Sequence, residues 1–425
     1  MSEIVKGRER VSIVSFYAPP AVGSAHTFVA NLVGLLATTA DVTLIGSEPA
    51  STPTLRLGSA DVAYRSVPFV TLEERLKNRI RRDRKSSFTP GVTKAIEAPA
   101  SMGMFARAKA AIWYSIIPDR QVMWARAATL ELVRQRKNPP DHIIGVFRPS
   151  SSLIAAMLGA KLMRVPWTAI LMDPWSEMES SFELRPSPLK RIDALIDQFV
   201  LSRATNVVAV TKEYQTHLRG RGLKNVLWCP TIPEVSALRA ANPIPPERPE
   251  VTNLLYCGSL YGDLRDYRAL VDGLVEANRN EQRFHLTVAG QALEPLLAYA
   301  HERDIADCVT SLGTIPWTEA TGRMKGPVIN VILLWNGPER FMIPSKLFEC
   351  LVAGRPILAV GPYDDPVVGH LPTDLSVCAH TSSEIAIGLE HLAPLCRNDA
   401  SPRTDFFETC QSEFNRLPQR LGLHT

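Results

Sequence analysis

The sequence predicts an α/β protein made of two doubly wound domains. Two observations carry this. Short β-rich apolar runs alternate with helical periods in both halves of the chain, and a proline-rich break separates the halves. At 425 residues the chain is also too long for one typical core.

In the first half, VSIVSFY precedes a helical period carrying Val29, Leu32, Val33 and Leu36, and DVTLIGS follows. After an irregular basic insertion at about 71–120, HIIGVF leads to the helix SSSLIAAMLGAKLM. PWTAILMD then leads to a helix around Ile192–Leu201, and NVVAVT leads through a short helix to NVLWCP. Strand–helix–strand repeats of this kind form a parallel sheet covered on both faces. Pro230, Pro233, Pro243, Pro245, Pro246 and Pro249 then crowd together with little apolar periodicity, so 231–250 reads as a linker after a first domain of 1–230. The pattern restarts with TNLLYCG and continues through FHLTVAG, VTSLG, PVINVILLW, PILAVG and LSVCAH. This gives a second domain of 251–405. The closing segment 406–425 is expected to form a helix that packs back on the first domain. Open α/β sheets bind ligands beyond the carboxyl ends of their strands. With two such domains facing each other, the cleft between them is the expected site.

Composition narrows the class. A hydrophobic content of 45% with 21% charged residues excludes a disordered chain. No run of eighteen apolar residues occurs, and the opening MSEIVKGRER lacks the apolar core of a secretory signal, so a cytoplasmic location is expected. The seven cysteines all fall in the second half and form no CxxC pair, which favours reduced, buried thiols over disulfides or zinc. The net charge of +4 is mild, and no nucleic-acid motif accompanies the basic run Arg75–Lys85.

The most informative stretch is PSKLFECLVAGRPILAV. Leu347 with Leu351, and Phe348 with Val352, are i,i+4 apolar pairs that hold a helix on a sheet. Pro344 suits the first helical turn, Gly354 ends the helix, and Ile357–Val360 reads as a buried strand. Lys346 and Glu349 fall off the packed stripe, near the helix N-terminus, where unpaired N–H groups and the helix dipole favour an anion. A solvated Lys/Glu pair is the alternative.

Four pieces of the chain, in order, resemble the family-4 retaining glycosyltransferases, enzymes of the two-Rossmann-domain "B" architecture. These are YAPPAVGSA with the following helix, ILMDPW, LLYCGSLYGDLRDYRAL and PSKLFECLVAGRPILA. The resemblance implies a nucleotide-diphosphate sugar as donor substrate, no permanently bound cofactor and no essential metal. It implies a diphosphate site at Pro344, Ser345, Lys346, Gly258, Ser259 and Arg265, where fixed positive groups stabilise the leaving phosphate. Glu349 would accept hydrogen bonds from the ribose hydroxyls. Gly23 resembles the glycine loop near the donor phosphate or the acceptor, with a tight turn as its alternative. Asp173, with Lys346 and Arg265, is expected among the catalytic residues: its carboxylate would orient or deprotonate the acceptor hydroxyl. A turn initiator at Asp173-Pro174 is the other reading. His26 beside Gly23 and Arg148 at the end of HIIGVF rank below Asp173. Asp364-Asp365 reads as a turn and not a metal pair.

The sequence also departs from the family. The glutamate usually paired with Glu349 is replaced by Phe341, and Glu339 is out of register. A sugar-nucleotide epimerase and a non-catalytic sugar-nucleotide-binding subunit therefore stay open beside a glycosyltransferase. The acceptor is expected to be a glycan, a glycolipid or a small molecule. Leu72, Leu76 and Ile80 recur among Arg75, Lys77, Arg79, Arg81 and Arg82, a helical stripe suited to an anionic membrane. Peripheral binding and a lipid-linked or envelope-glycan acceptor follow as expectations.

Overall fold

The computed structural model describes residues 8–20, 24–50, 52–57, 60–69, 119, 121–177, 187–232, 235–260, 264–281, 283–336, 341 and 343–423. The basic insertion with its apolar stripe, Gly23 and Glu339 lie outside the described residues. The chain divides into two compact units. One holds the described residues up to Thr231 together with those from Cys410 onward, and the other runs from Ile232 to Thr409.

Among its described residues the first unit has strands β1 Glu9–Val14, β2 Ala40–Gly46, β3 Thr54–Leu57, β4 Ala60–Ser66, β5 His142–Phe147, β6 Trp167–Leu171, β7 Asn206–Ala209 and β8 Val226–Trp228. They form one sheet in the order β3-β4-β2-β1-β5-β6-β7-β8, parallel except for β3, which runs antiparallel on the edge. Every residue of β5 and β6 is buried, as a sheet covered on both faces requires. The helices are α1 Ser24–Leu36, α2 Val122–Val133, α3 Ser150–Met163, α4 Ser187–Leu201 and α5 Lys212–Gly220. The closing segment belongs to this unit: Phe414 meets Phe28 edge-on at 6.2 Å, and Arg420 donates to the Trp228 carbonyl at 2.9 Å.

The second unit opens with α6 Val235–Ala240. The proline-rich stretch that reads as a linker in the sequence is packed on this unit. The Ile244 N–H donates to the Gly322 carbonyl at 2.9 Å, and a side chain at Gly322 or Gly326 would collide with Asn242 or Ile244. Strands β9 Thr252–Cys257, β10 Phe284–Ala289, β11 Val309–Gly313, β12 Val328–Leu333, β13 Ile357–Val360 and β14 Ser376–Ala379 form an all-parallel sheet in the order β11-β10-β9-β12-β13-β14. Counted within the unit this is the order 3-2-1-4-5-6, the classic nucleotide-binding arrangement, with its switch point between β9 and β12. Helices α7 Tyr267–Ala277, α8 Glu294–Glu302, α9 Trp317–Met324, α10 Ser345–Ala353 and α11 Ser382–Leu392 complete it, and α12 Asp405–Asn415 spans the division at Cys410. The seven cysteines are free thiols, six of them buried. No helix among the described residues is long and apolar enough to cross a membrane.

A capping box starts α11. Thr381 accepts from the Glu384 N–H, and the Glu384 carboxylate accepts from the His380 and Thr381 N–H groups at 2.9 Å each. These bonds, with one from Tyr363, hold the Glu384 carboxyl down to about 2, against an ordinary 4.5. Because the folded value is depressed, the stabilisation is present above pH 4.5 and is lost as pH falls toward 2. Melting curves across that range should show Glu384→Gln less stable than the parent at neutral pH, with the gap closing in acid.

Candidate functional site

At the switch point of the second unit, β9 is followed by Gly258-Ser259 and β12 by Leu334-Trp335. Helix α10 starts at Ser345 without a side-chain cap; the Leu347 N–H donates to the Pro344 carbonyl at 3.0 Å, and the N–H groups of Ser345 and Lys346 keep their donor capacity. Its other end is closed by Gly354 at φ 65°, packed so tightly on Ser401-Pro402 that no side chain fits.

Lys346 runs from the first turn of α10 to Gly258, where a Cβ would collide with its Nζ and Cε. Its Nζ lies 5.8 Å from the centroid of the Tyr256 ring, and the Tyr256 hydroxyl donates to the Ser259 carbonyl at 2.9 Å. Burial pushes the Lys346 pKa below its ordinary value, and the neighbouring Arg265 charge pushes it further. Glu349 acts in the opposite direction. Arg265 is itself fixed. It donates to the Leu333 carbonyl at the end of β12, lies 5.3 Å from the centroid of the Trp335 ring, and precedes Asp266, which caps α7. Two cations and an uncapped helix N-terminus thus converge at the carboxyl ends of the central strands β9 and β12, an arrangement suited to an anion.

The structure corrects the expectation that Glu349 lies off the packing. It is only 8% exposed, because Trp317 of α9 covers it and donates Nε1–H to Oε1 at 3.0 Å. The carboxylate is therefore oriented, and Oε2 has no hydrogen bond among the described residues. Pro344, Ser345, Lys346, Glu349, Gly258, Ser259 and Arg265 accordingly gather at the switch point of one sheet. Trp317 is a site residue that the sequence reading missed. Its signal was the Pro316-Trp317 helix start just after a strand. Phe341 is half-buried. Asp365 caps a turn through Val367 N–H at 2.9 Å.

The first unit has its own switch point, between β1 and β5. Asp173 follows β6, and its Oδ2 lies 2.9 Å from Nε of Arg148, which follows β5. Each side chain is about a third exposed. The turn carrying Asp173 is held from below. Tyr214 takes a hydrogen bond from the Trp175 N–H at 3.3 Å, and Ser176 donates to the buried Asp197. Arg221 bridges Glu177 and Asp197. The ring nitrogens of His26, on α1, are buried without hydrogen bonds among the described residues, and burial lowers the pKa, keeping the ring neutral. Asp119 accepts from the N–H and hydroxyl of Ser151, so the N-terminus of α3 already holds a carboxylate.

No family model matches the chain, and neither does any curated protein. Solved structures do. Sucrose-phosphate synthase from Thermosynechococcus elongatus superposes with a TM-score of 0.60 at 13% identity, over 98% of this chain and 97% of that one. WaaG, a glycosyltransferase involved in lipopolysaccharide biosynthesis, gives 0.57 at 12% identity, over 97% and 98%. The fold is the glycosyltransferase-B architecture. Similarity within the glycosyltransferase-B fold extends to a putative UDP-N-acetylglucosamine 2-epimerase from Listeria monocytogenes, with a TM-score of 0.53 at 9% identity over 98% of each chain.

Proposed function

We propose that the chain is a retaining glycosyltransferase that moves a sugar from a nucleotide-diphosphate donor to a lipid-linked or envelope-glycan acceptor. One observation carries the reading: the desolvated Lys346 ammonium seated on Gly258, beside Arg265 and the open end of α10. The diphosphate lies on these groups, and Glu349, oriented by Trp317, takes the ribose hydroxyls. As the bond from the anomeric carbon to the phosphate oxygen breaks, negative charge grows on the diphosphate, where the two cations stabilise it. The acceptor oxygen, positioned by Asp173, attacks the same face of the sugar, and its proton passes to the leaving phosphate. The donor is a substrate, and no cofactor is held between turnovers.

The acceptor class is supported by the basic, apolar-striped stretch of the sequence and by the likeness to WaaG. A soluble acceptor is the alternative, favoured by the likeness to a sucrose-phosphate synthase. An epimerase is the second reading, favoured by the Listeria likeness. The test is to incubate the purified chain with UDP-, GDP- and dTDP-sugars, with and without membrane lipid extract. Nucleoside diphosphate release that needs the extract, with the anomeric configuration retained in the product, is expected. A changed sugar epimer formed without any acceptor would replace this reading with the epimerase.

A further inference from the structure

Helices α2, α3 and α4 lie side by side on the first unit. In a doubly wound domain the side of such helices turned away from the sheet is ordinarily polar. Here it is not. Helix α2 exposes Met123 and Leu130, α3 exposes Leu158 and Leu162, and α4 exposes Ile192, Leu195 and Phe199. Seven of the ten exposed large hydrophobic side chains among the described residues therefore fall on three neighbouring helices. Single exposed leucines are common and mean little; a contiguous group marks a contact surface.

Helix α4 buries Val200 and Leu201 at its end, but along its middle it buries acids and exposes apolar side chains. Leu195 is 71% exposed, whereas Asp193 and Asp197 are 7% and 0% exposed. Asp197 is drawn inward by Arg221 and Ser176, which hold the Asp173 turn. Those inward bonds leave Ile192, Leu195 and Phe199 outermost.

The charges on these helices are equally one-sided. The exposed charged side chains are Arg126 on α2, Lys161 on α3 and Arg191 on α4, with Arg134 and Arg164 just past the ends of α2 and α3. No carboxylate on the three helices is exposed: Glu131 is half-buried against Arg134, and the two aspartates of α4 are buried. Apolar side chains interspersed with cations alone complement an anionic lipid surface, into which the former insert while the latter meet headgroups.

We propose that the outer side of α2, α3 and α4 is a docking surface for an anionic bilayer. The proposal rests on the membrane half of the functional reading and not on its sugar-transfer half. It places contact on described helices distinct from the basic stretch at 71–120.

Flotation with phosphatidylcholine vesicles, with and without phosphatidylglycerol, tests it. Wild type should float with the anionic vesicles alone, and high salt should weaken the binding. The triple variant Leu162→Ser, Leu195→Ser, Phe199→Ser and the charge variant Lys161→Glu, Arg191→Glu should each bind about ten-fold or more weakly. Both should keep the parent's melting temperature and its stabilisation by nucleoside diphosphate, because the substituted side chains are exposed and outside the candidate site. A variant with Arg79, Arg81 and Arg82 replaced by glutamate serves as comparison. Surface variants that float like wild type, with binding lost only in the comparison variant, would overturn the proposal. So would a wild-type dimer that the triple variant dissociates, since a second copy would then occupy the surface. Wild type that floats with neither vesicle also overturns it, and nucleotide stabilisation in that same sample would leave the sugar-transfer reading intact.

Discussion

Replacing Lys346 with methionine is expected to raise the dissociation constant for the nucleoside diphosphate about ten-fold or more, while the free protein melts no lower than the parent. The two effects have one cause. Burial and the Arg265 charge push the Lys346 pKa down, so the ammonium is destabilised in the empty fold. A folded pKa below the unfolded one means that the charged form costs stability, and the cost shrinks as pH rises through the folded value. Methionine keeps the stem and removes the charge. The diphosphate loses a charge-assisted hydrogen bond, typically about 1.5–3 kcal/mol, which converts to ten-fold or more in affinity. Calorimetric titration together with a melting curve reads both quantities. A variant that binds as tightly as the parent returns Lys346 to a packing role.

Asp173→Asn should lower kcat about a hundred-fold or more with nucleotide affinity unchanged. The amide keeps the shape but no longer carries the charge that meets Arg148 at 2.9 Å and would meet the acceptor hydroxyl. Steady-state kinetics at saturating acceptor, with a parallel nucleotide titration, separates the two. Unchanged turnover leaves Asp173 as a turn residue paired to Arg148. Equal losses in turnover and nucleotide binding would indicate that the whole turn had moved.

What could be read from the sequence was local. Helix α10 and strand β13 are legible because a proline start, two i,i+4 apolar pairs and a glycine stop agree over one short stretch. Strands β3 and β4 are not. TLRL has four residues at the sheet edge, and ADVAYRS beside it mixes polar and apolar residues, so neither carries an apolar run. The helix WTEATGRM escaped notice for the same reason, and with it Trp317. The burial of Glu349 depends on that tryptophan, 32 residues away, and no spacing within α10 can reveal it. Arg148 and Asp173 were each visible at a strand end. Their ion pair follows from β5 and β6 being neighbours, which is a property of strand order. The prolines of 231–250 suggested a tether, yet their rigidity serves equally well to lay an extended chain against the glycines of α9 and its end.

The most direct measurement is the thermal stability of the wild-type chain and Lys346→Met with uridine, guanosine and thymidine diphosphates. Ligand that binds only the native state raises the melting temperature by mass action. At least one of the three should stabilise wild type, and the same nucleotide at the same concentration should stabilise Lys346→Met markedly less. No stabilisation of wild type by any of them, or equal stabilisation of both proteins, would contradict a nucleotide-sugar site at Lys346.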